Sequence, residues 1–188
     1  MKKIIILAAA LLILAACSDN EEVQNSGSAN DNAPTDAQSV TDHGVVDKSN
    51  IGFEMAGGDI EEATNVPANE KEAILGSFNQ YIHAFNEEDL DGYLGVISKN
   101  PEGFDYAQEK EVVKQAFEDY NTIRTANDVT IIKYEDKEAQ VYANLDISLS
   151  QPESGTKLDR KGRQVTVFKK EEGKWVVTSV YYIGETAE

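Results

Sequence analysis

Hydrophobic residues recur every three or four positions in three stretches of the middle of the chain, which predicts three amphipathic helices. The first stretch begins at Asn69, which has the spacing of a helix capping box with Glu72. The second covers residues 88–97 and the third residues 105–121. The positions predicted to face inward are Ile74, Phe78, Tyr81, Ile82 and Phe85, then Leu90, Leu94 and Ile97, then Val112, Val113, Ala116, Phe117 and Tyr120.

After Asp128 the hydrophobic period changes to two, which is typical of β-strands. The clearest alternation lies in residues 140–150, where one face is predicted to be buried and the other to be wet. A bulge is expected at Gly162. The predicted strands cover residues 129–134, 140–150, a third strand ending at Lys170, and residues 175–183. Residues 69–188 are therefore predicted to form an α+β domain, with three N-terminal helices packed on a curved four-stranded antiparallel sheet.

The beginning of the chain has a different pattern, with Lys2 and Lys3 followed by thirteen residues that are only Ile, Leu and Ala. A positive start and a short apolar run are typical of a secretory signal peptide. The run is too short for a membrane-spanning helix, which needs about 20 apolar residues. Residues 1–16 are therefore predicted to be a signal peptide.

Leu14-Ala15-Ala16-Cys17 resembles the lipobox of bacterial lipoproteins. The resemblance implies that Cys17 becomes the first residue of the mature protein and carries acyl chains, palmitate among them. Two or more chains anchor a protein stably to a membrane surface. The expected location is thus the extracytoplasmic face of a bacterial membrane. The alternative is a secreted protein in which Cys17 belongs to the discarded peptide.

Residues 17–68 are rich in small, polar and acidic residues, so they are predicted to form a disordered acidic tether behind the lipidated Cys17. Two patches are more apolar than a tether requires, residues 44–46 and residues 51–55. Each is predicted either to dock onto the folded domain or to bind a partner. The formal net charge of the chain is −17, which argues against nucleic-acid binding because a phosphate-binding surface needs clustered Lys and Arg.

Metal and cofactor chemistry have little support in the sequence. The chain has one cysteine and two histidines, and none of them has metal-ligand spacing. His83 lies opposite the apolar stripe of the first helix and is expected to be solvated. The acidic run from Glu87 resembles the start of a calcium loop, but its twelfth position is Ser98, where a bidentate Glu is required. No metal and no cofactor are predicted.

Three helices before an antiparallel meander resemble the nuclear-transport-factor-2-like superfamily, also called the cystatin-like cone and including SnoaL-like proteins. The phrase Phe85-Asn86-Glu87-Glu88-Asp89-Leu90-Asp91 and the turn Gly173-Lys174-Trp175 carry the resemblance. It covers residues 69–184. One departure concerns the connection between the second and third helices, where only residues 98–104 are available for the strand pair that many members have.

The resemblance implies a pocket between the first helix and the sheet, for which Tyr81, Phe85, Tyr93 and Tyr120 would supply the rings. The alternative is that these four side chains are ordinary core residues. Ketosteroid isomerase, one enzyme of the superfamily, uses a helix-one tyrosine and two aspartates, and the nearest counterparts are Tyr81, Asp105 and Asp146. Asp146 alternates out of phase with the buried positions, and Asp105 is equally a helix N-cap. The preferred prediction is a non-catalytic domain that binds a small ligand or a protein. The alternative is an isomerase- or dehydratase-type enzyme using Tyr81 with Asp105.

The last hairpin is apolar on both faces if Lys170 pairs with Trp175. One face must cover the helices, and the other would remain exposed unless something covers it. A second copy, a protein partner or the region of Phe53 is expected to do so. The alternative is that Arg160, Arg163 and Lys169 shade it. The residues predicted to share the interface face are Phe168, Trp175, Val177 and Tyr181, and those of the other face are Val165, Val167, Val176, Val180 and Tyr182.

Overall fold

The computed structural model describes residues 60–185, and in them three helices precede four strands. The helices are α1 (Ala68–Asn86), α2 (Leu90–Gly95) and α3 (Tyr106–Asp119); the strands are β1 (Asn121–Glu135), β2 (Glu138–Ser150), β3 (Lys157–Glu171) and β4 (Lys174–Gly184). The strands form an antiparallel sheet in the order β1-β2-β3-β4, which confirms the predicted α+β class and meander. Residues 1–59, with the predicted signal peptide, Cys17 and most of the predicted tether, lie outside the described residues.

Two of the three helices begin at a capping carboxylate. The exception is α1, where Pro67 occupies the N-cap position and makes no side-chain cap hydrogen bond, so the prediction that Asn69 caps this helix is wrong. Asp89 caps α2 and Asp105 caps α3, since each carboxylate accepts a hydrogen bond from a backbone N–H three residues on. In residues 60–185, no helix has the length and apolar character needed to span a membrane.

The core lies between the helices and one face of the sheet, which we call the inner face. As predicted, the alternating apolar residues of β2 pack there. The first turn of α1 is fixed to the last hairpin by Glu70, whose carboxylate accepts hydrogen bonds from Lys170 Nζ at 2.6 Å and from Trp175 Nε1 at 2.8 Å. The inward residues of β2 are Val141, Ala143, Leu145, Ile147 and Leu149.

The strand β1 begins eight residues earlier than its hydrophobic pattern predicts. Thr122 and Arg124 face the inner side and are buried, whereas Ile123 between them is 52% exposed. The polarity of this stretch is thus the reverse of an ordinary half-buried strand, in which apolar residues point inward. Hydrophobicity alone could not detect it.

A β-bulge at Thr178 changes which side of the sheet the end of β4 presents. Phe168 pairs with Val177 and Val167 with Ser179, so Thr178 is an extra residue. Its carbonyl accepts hydrogen bonds from the N–H groups of Glu102 and Gly103, both at 2.9 Å. Gly103 fits because a Cβ there would lie 2.8 Å from Ser179 Oγ.

The predicted bulge at Gly162 is wrong, because this residue pairs in register with Leu145 and Gly184. Gly162 is instead needed for close packing. A Cβ at this position would lie 2.5 Å from the hydroxyl oxygen of Tyr182, so only glycine leaves room for the tyrosine ring.

Residues 60–67, which the sequence pattern assigned to the tether, lie against the domain. The N–H of Ala63 donates to the carbonyl of Ile131 at 2.7 Å, beside the edge strand β1. Val66 packs against the inner core, while Ile60 packs on the opposite face of the sheet, which we call the outer face.

Candidate functional site

Four polar side chains meet inside the domain between the helices and the inner face. Tyr81 is 0% exposed, Tyr93 1%, and Glu109 and Arg124 4% each. We call these four residues the polar cluster. Groups of this kind are seldom buried without partners, because removing a charge or a phenol from water is costly.

Each of the four elements that surround the polar cluster contributes one member. Tyr81 comes from the buried stripe of α1, Tyr93 from α2, Glu109 from the first turn of α3, and Arg124 from β1. Asn86, the last residue of α1, fixes the position of Arg124. Its amide donates to the carbonyl of Arg124 at 2.9 Å and accepts from its N–H at 2.8 Å. This two-point contact ties the end of α1 to the edge strand.

Hydrogen bonds and ring contacts hold the polar cluster together. The Tyr93 hydroxyl donates to Glu109 Oε1 at 2.5 Å, and Arg124 Nη1 donates to the Tyr81 hydroxyl at 3.3 Å. The guanidinium of Arg124 lies 3.5 Å from the centre of the Phe85 ring, a cation–π contact. The rings of Tyr81 and Tyr93 are 5.4 Å apart between centroids.

The electrostatics of the polar cluster keep its phenols protonated. Burial raises the pKa of Tyr81, and the charge of Arg124 only partly opposes this. Burial also raises the pKa of Tyr93 well above its ordinary value, and the charge of Glu109 adds to the effect. Neither phenol is therefore poised to lose its proton near neutral pH.

Two other hydroxyls on the inner face are buried and have no hydrogen-bond partner within residues 60–185, Thr122 Oγ1 and the hydroxyl of Tyr182. Thr122 lies on β1, two residues before Arg124, and Tyr182 lies on β4. Burial raises the pKa of Tyr182, while the charges of Arg160 and Arg124 lower it. A buried hydroxyl without a partner costs about 1–3 kcal/mol, so these two groups require an explanation.

The structure brings together three of the four residues predicted to form a ligand pocket. The Tyr93 ring lies 5.4 Å from the Tyr81 ring and 5.7 Å from the Phe85 ring between centroids, and Arg124 contacts both Tyr81 and Phe85. Tyr120 is buried at the end of α3 in the same core. Asp105, predicted as the partner of Tyr81, is exposed and its carboxylate accepts from the N–H of Gln108 at 2.8 Å, as a helix cap does.

Three of the four residues predicted to form a sheet-face interface do not lie on an exposed face. Phe168, Trp175 and Val177 belong to the core beneath the helices. This part of the prediction is therefore wrong. The fourth, Tyr181, lies on the outer face because the bulge at Thr178 reverses the alternation.

Three further residues lie on a different face of the sheet from the one predicted, two of them because of the same bulge. Val180 and Tyr182 face inward with the core, whereas Val165, which was predicted to share their face, lies on the outer face. Arg160, expected to shade the second face, pairs with the inward residue Ile147 and so lies on the inner face.

The remaining predicted candidates lie at the surface. His83 is exposed, and its ring nitrogen is 4.0 Å from a carboxylate oxygen of Glu87. Asp146 pairs with Lys161 at 3.0 Å on the outer face. In the described part of the chain, no group of three or more His, Cys, Asp or Glu side chains is placed to hold a metal ion.

Sequence reasoning missed Glu109 and Arg124, although one of them left a signal. Glu109 lies four residues before Val113 and seven before Ala116, so it belongs to the buried stripe of α3 and not to its polar face. A carboxylate on an apolar stripe is a signal of a buried polar site. Arg124 carried no comparable signal, because the period of β1 was not recognisable.

Comparisons with known proteins agree with this architecture. A nuclear-transport-factor-2-like superfamily protein from Salmonella enterica serovar Typhimurium superposes with a TM-score of 0.56 at 16% identity, covering 62% of this chain and 92% of that one. A ketosteroid isomerase-like protein from Erwinia carotovora atroseptica gives a TM-score of 0.55 at 14% identity, covering 64% and 100%.

A protein with a cystatin-like fold from Nostoc punctiforme gives a TM-score of 0.52 at 13% identity, covering 64% of this chain and 94% of that one. At such low identities these likenesses show the fold alone. No curated protein matches the sequence.

The family of this chain is shown by a match to a family model. The model described as the anti-sigma-I factor RsgI9, C-terminal domain, matches residues 77–183, more than half of the chain, from the middle of α1 to the end of β4. The chain therefore belongs to the family of the anti-sigma-I factor RsgI9 C-terminal domain, and it has the nuclear-transport-factor-2-like, cystatin-like fold.

Proposed function

We propose that this protein is a non-catalytic binding domain, which takes a small polar ligand between the helices and the inner face of its sheet. The observation that carries the proposal is the pair of buried hydroxyls without partners in the described structure, Thr122 Oγ1 and Tyr182 OH. A ligand that hydrogen-bonds to them would remove the cost of leaving them unpaired. Arg124 lies two residues from Thr122 on the same side of β1, and its charge acts on Tyr182, so it adds a cationic group.

The polar cluster supports binding over catalysis. A general acid or base must reach the proton it transfers. Here the Tyr93 phenol and the Glu109 carboxylate are bonded to each other at 2.5 Å, and both are almost completely shielded from solvent. The name of the family model also denotes a domain of a regulatory factor, not an enzyme.

The proposal is tested by native mass spectrometry of the full chain with Cys17→Ser, purified without denaturation. We expect a small-molecule adduct that is lost in the double variant Thr122→Val, Tyr182→Phe. The matched control is Tyr142→Phe, a tyrosine of the outer face, and it should keep the adduct. An adduct that persists in the double variant, or no adduct at all after incubation with extract of the producing cells, would contradict the proposal.

The domain is further proposed to be anchored outside the cytoplasm through a lipid on Cys17, as the lipobox resemblance implies. Metabolic labelling with an alkyne analogue of palmitate tests this directly. We expect the wild-type chain to be labelled and to sediment with membranes, and Cys17→Ser to be unlabelled. Equal labelling of both chains, or sedimentation unaffected by the substitution, would indicate that Cys17 belongs to a discarded signal peptide.

An isomerase- or dehydratase-type enzyme is the second candidate, favoured by the short hydrogen bond between Tyr93 and Glu109. In this version Tyr81 is the helix-one tyrosine of the resemblance, and Glu109 takes the place given to Asp105. The variant Glu109→Gln distinguishes the enzyme from the binding domain. An enzyme would lose turnover of its substrate while still binding it, whereas a binding domain has no turnover to lose.

A further inference from the structure

The outer face of the sheet contains a strip that is too well buried for a face without helices. Gln140 and Tyr142 of β2 are 2% and 4% exposed, and their neighbours on β3, Val167 and Val165, are 8% and 1% exposed. We call these four residues the outer strip. The alternation of β2 predicted that Gln140 and Tyr142 would be wet, so their burial is a departure from the pattern.

The described chain supplies little that would cover this strip. Among residues 60–185 the apolar cluster on this face consists of Tyr142, Val165, Ile132, Tyr181 and Ile60, and of these Ile60 alone comes from outside the strands. Ile60 is also the first residue that the structure describes. The preceding chain therefore starts at the outer strip, on the β1 side of the sheet.

We propose that residues 51–55 pack on the outer strip in the same molecule and close it. The sequence Ile51-Gly52-Phe53-Glu54-Met55 alternates apolar and polar residues, which in an extended segment places Ile51, Phe53 and Met55 on one side. The apolar side would face Tyr142 and Val165, and Glu54 would face solvent.

The length of the connection allows this placement. Four residues separate Met55 from Ile60, which makes five steps along the backbone; an extended chain advances about 3.3 Å per step, so Met55 can lie about 17 Å from Ile60. Neighbouring strands are about 4.8 Å apart, so the distance from β1 to β3 is only about 10 Å. Gly57 and Gly58 permit a turn in the connection.

A cationic group also borders the outer strip. The charge of Arg163 lies close enough to lower the pKa of Tyr142, although burial raises it overall. Arg163 thus offers a positive partner to Glu54 or Asp59 of the segment, next to the carboxylates of Asp128 and Glu185, which act on Tyr142 in the opposite direction.

Disulfide trapping tests the docking, because Cys17 is the only cysteine and Cys17→Ser removes it. In the full chain with this change, Ile51→Cys, Phe53→Cys or Met55→Cys is each combined with Tyr181→Cys on the outer face. The matched controls combine the same three with Gln115→Cys, an exposed position of α3. We expect at least one Tyr181 pair to form an intramolecular disulfide at least tenfold more than its control, because a disulfide requires Cα atoms within about 7 Å.

A second measurement does not depend on the exact register. The thiol of Val167→Cys should react with a thiol reagent at least tenfold faster when Phe53→Asp is added, and Val45→Asp should leave the rate unchanged. Disulfides that link two molecules would overturn the proposal in favour of a second copy on the strip. Equal trapping with Gln115→Cys, or a thiol rate that Phe53→Asp does not change, would overturn docking of this segment.

Discussion

The two faces of the sheet differ in whether their buried tyrosine hydroxyls are hydrogen-bonded. On the outer face the hydroxyl of Tyr142 donates to Asn144 Oδ1 at 2.6 Å, and the Asn144 amide donates to Asp128 at 2.8 Å. On the inner face the hydroxyl of Tyr182 is buried and has no partner among residues 60–185. The tyrosine hydroxyl of the outer face is therefore hydrogen-bonded, whereas that of the inner face has no partner in the described residues. The inner face is also the one that carries the polar cluster.

The difference indicates which face is adapted for a ligand and which for packing. Stability alone would favour a phenylalanine at position 182, since an unpaired buried hydroxyl only destabilises the folded state. Keeping the hydroxyl therefore lowers the stability of the fold, and proteins retain destabilising groups mainly at functional sites. On the outer face the hydroxyl of Tyr142 is paired, and its ring packs in a cluster with Val165 and Ile60, as expected of a packing surface.

The largest effect is expected from breaking the polar cluster of the inner side. Glu109→Ala removes the acceptor of the Tyr93 hydroxyl and leaves a buried phenol without it, so the free energy of unfolding should fall by about 2–4 kcal/mol. Glu111→Ala, on the exposed side of the same helix, should change it by less than about 0.5 kcal/mol. Urea unfolding at pH 7 measures both. Equal effects would mean that Glu109 is not held inside the domain.

A smaller effect is expected in alkali. Because the folded-state pKa values of Tyr81 and Tyr93 lie above the ordinary value of 10.0, the contribution of these phenols to stability is complete below pH 10 and is lost as the pH rises towards the folded-state pKa. Each group should reduce stability by up to about 1.4 kcal/mol per pH unit in that range.

Unfolding free energies between pH 9 and pH 11 give the slope of this loss. Tyr93→Phe should flatten the slope more than Tyr142→Phe, whose phenol on the outer face also has a pKa raised by burial. A slope that Tyr93→Phe leaves unchanged would show that this phenol ionises equally in both states.

Much of the fold was predictable because its helices and β2 follow simple periods. Helix α1 buries Ile74, Phe78 and Phe85 as its pattern indicates, and the apolar residues of β2 point towards the core as its alternation indicates. The start of β1 was not predictable in this way, because its inward residues are Thr122 and Arg124. The binary pattern marks polar residues as outward, so it fails where a site has replaced apolar positions.

The face of Tyr181 was unpredictable for another reason. The residues from Val176 to Tyr182 favour strand throughout, and nothing in their order marks the extra residue at Thr178. The bulge depends on N–H groups of Glu102 and Gly103, which are distant in sequence. Likewise, the chemistry of Asp105 fitted both a cap and a catalytic group, and only the hydrogen bond to Gln108 shows the cap.

The most direct test of the contrast between the faces is the pair Tyr182→Phe and Tyr142→Phe, compared by urea unfolding of the full chain with Cys17→Ser at pH 7. Tyr182→Phe should leave the free energy of unfolding unchanged or raise it by about 1 kcal/mol, because it deletes a buried hydroxyl that has no partner in the described fold. Tyr142→Phe should lower it by about 1 kcal/mol, because it deletes a hydrogen bond. Equal losses in the two variants would contradict the account, since the Tyr182 hydroxyl would then already be paired within the protein and the inner face would have no such group to offer a ligand.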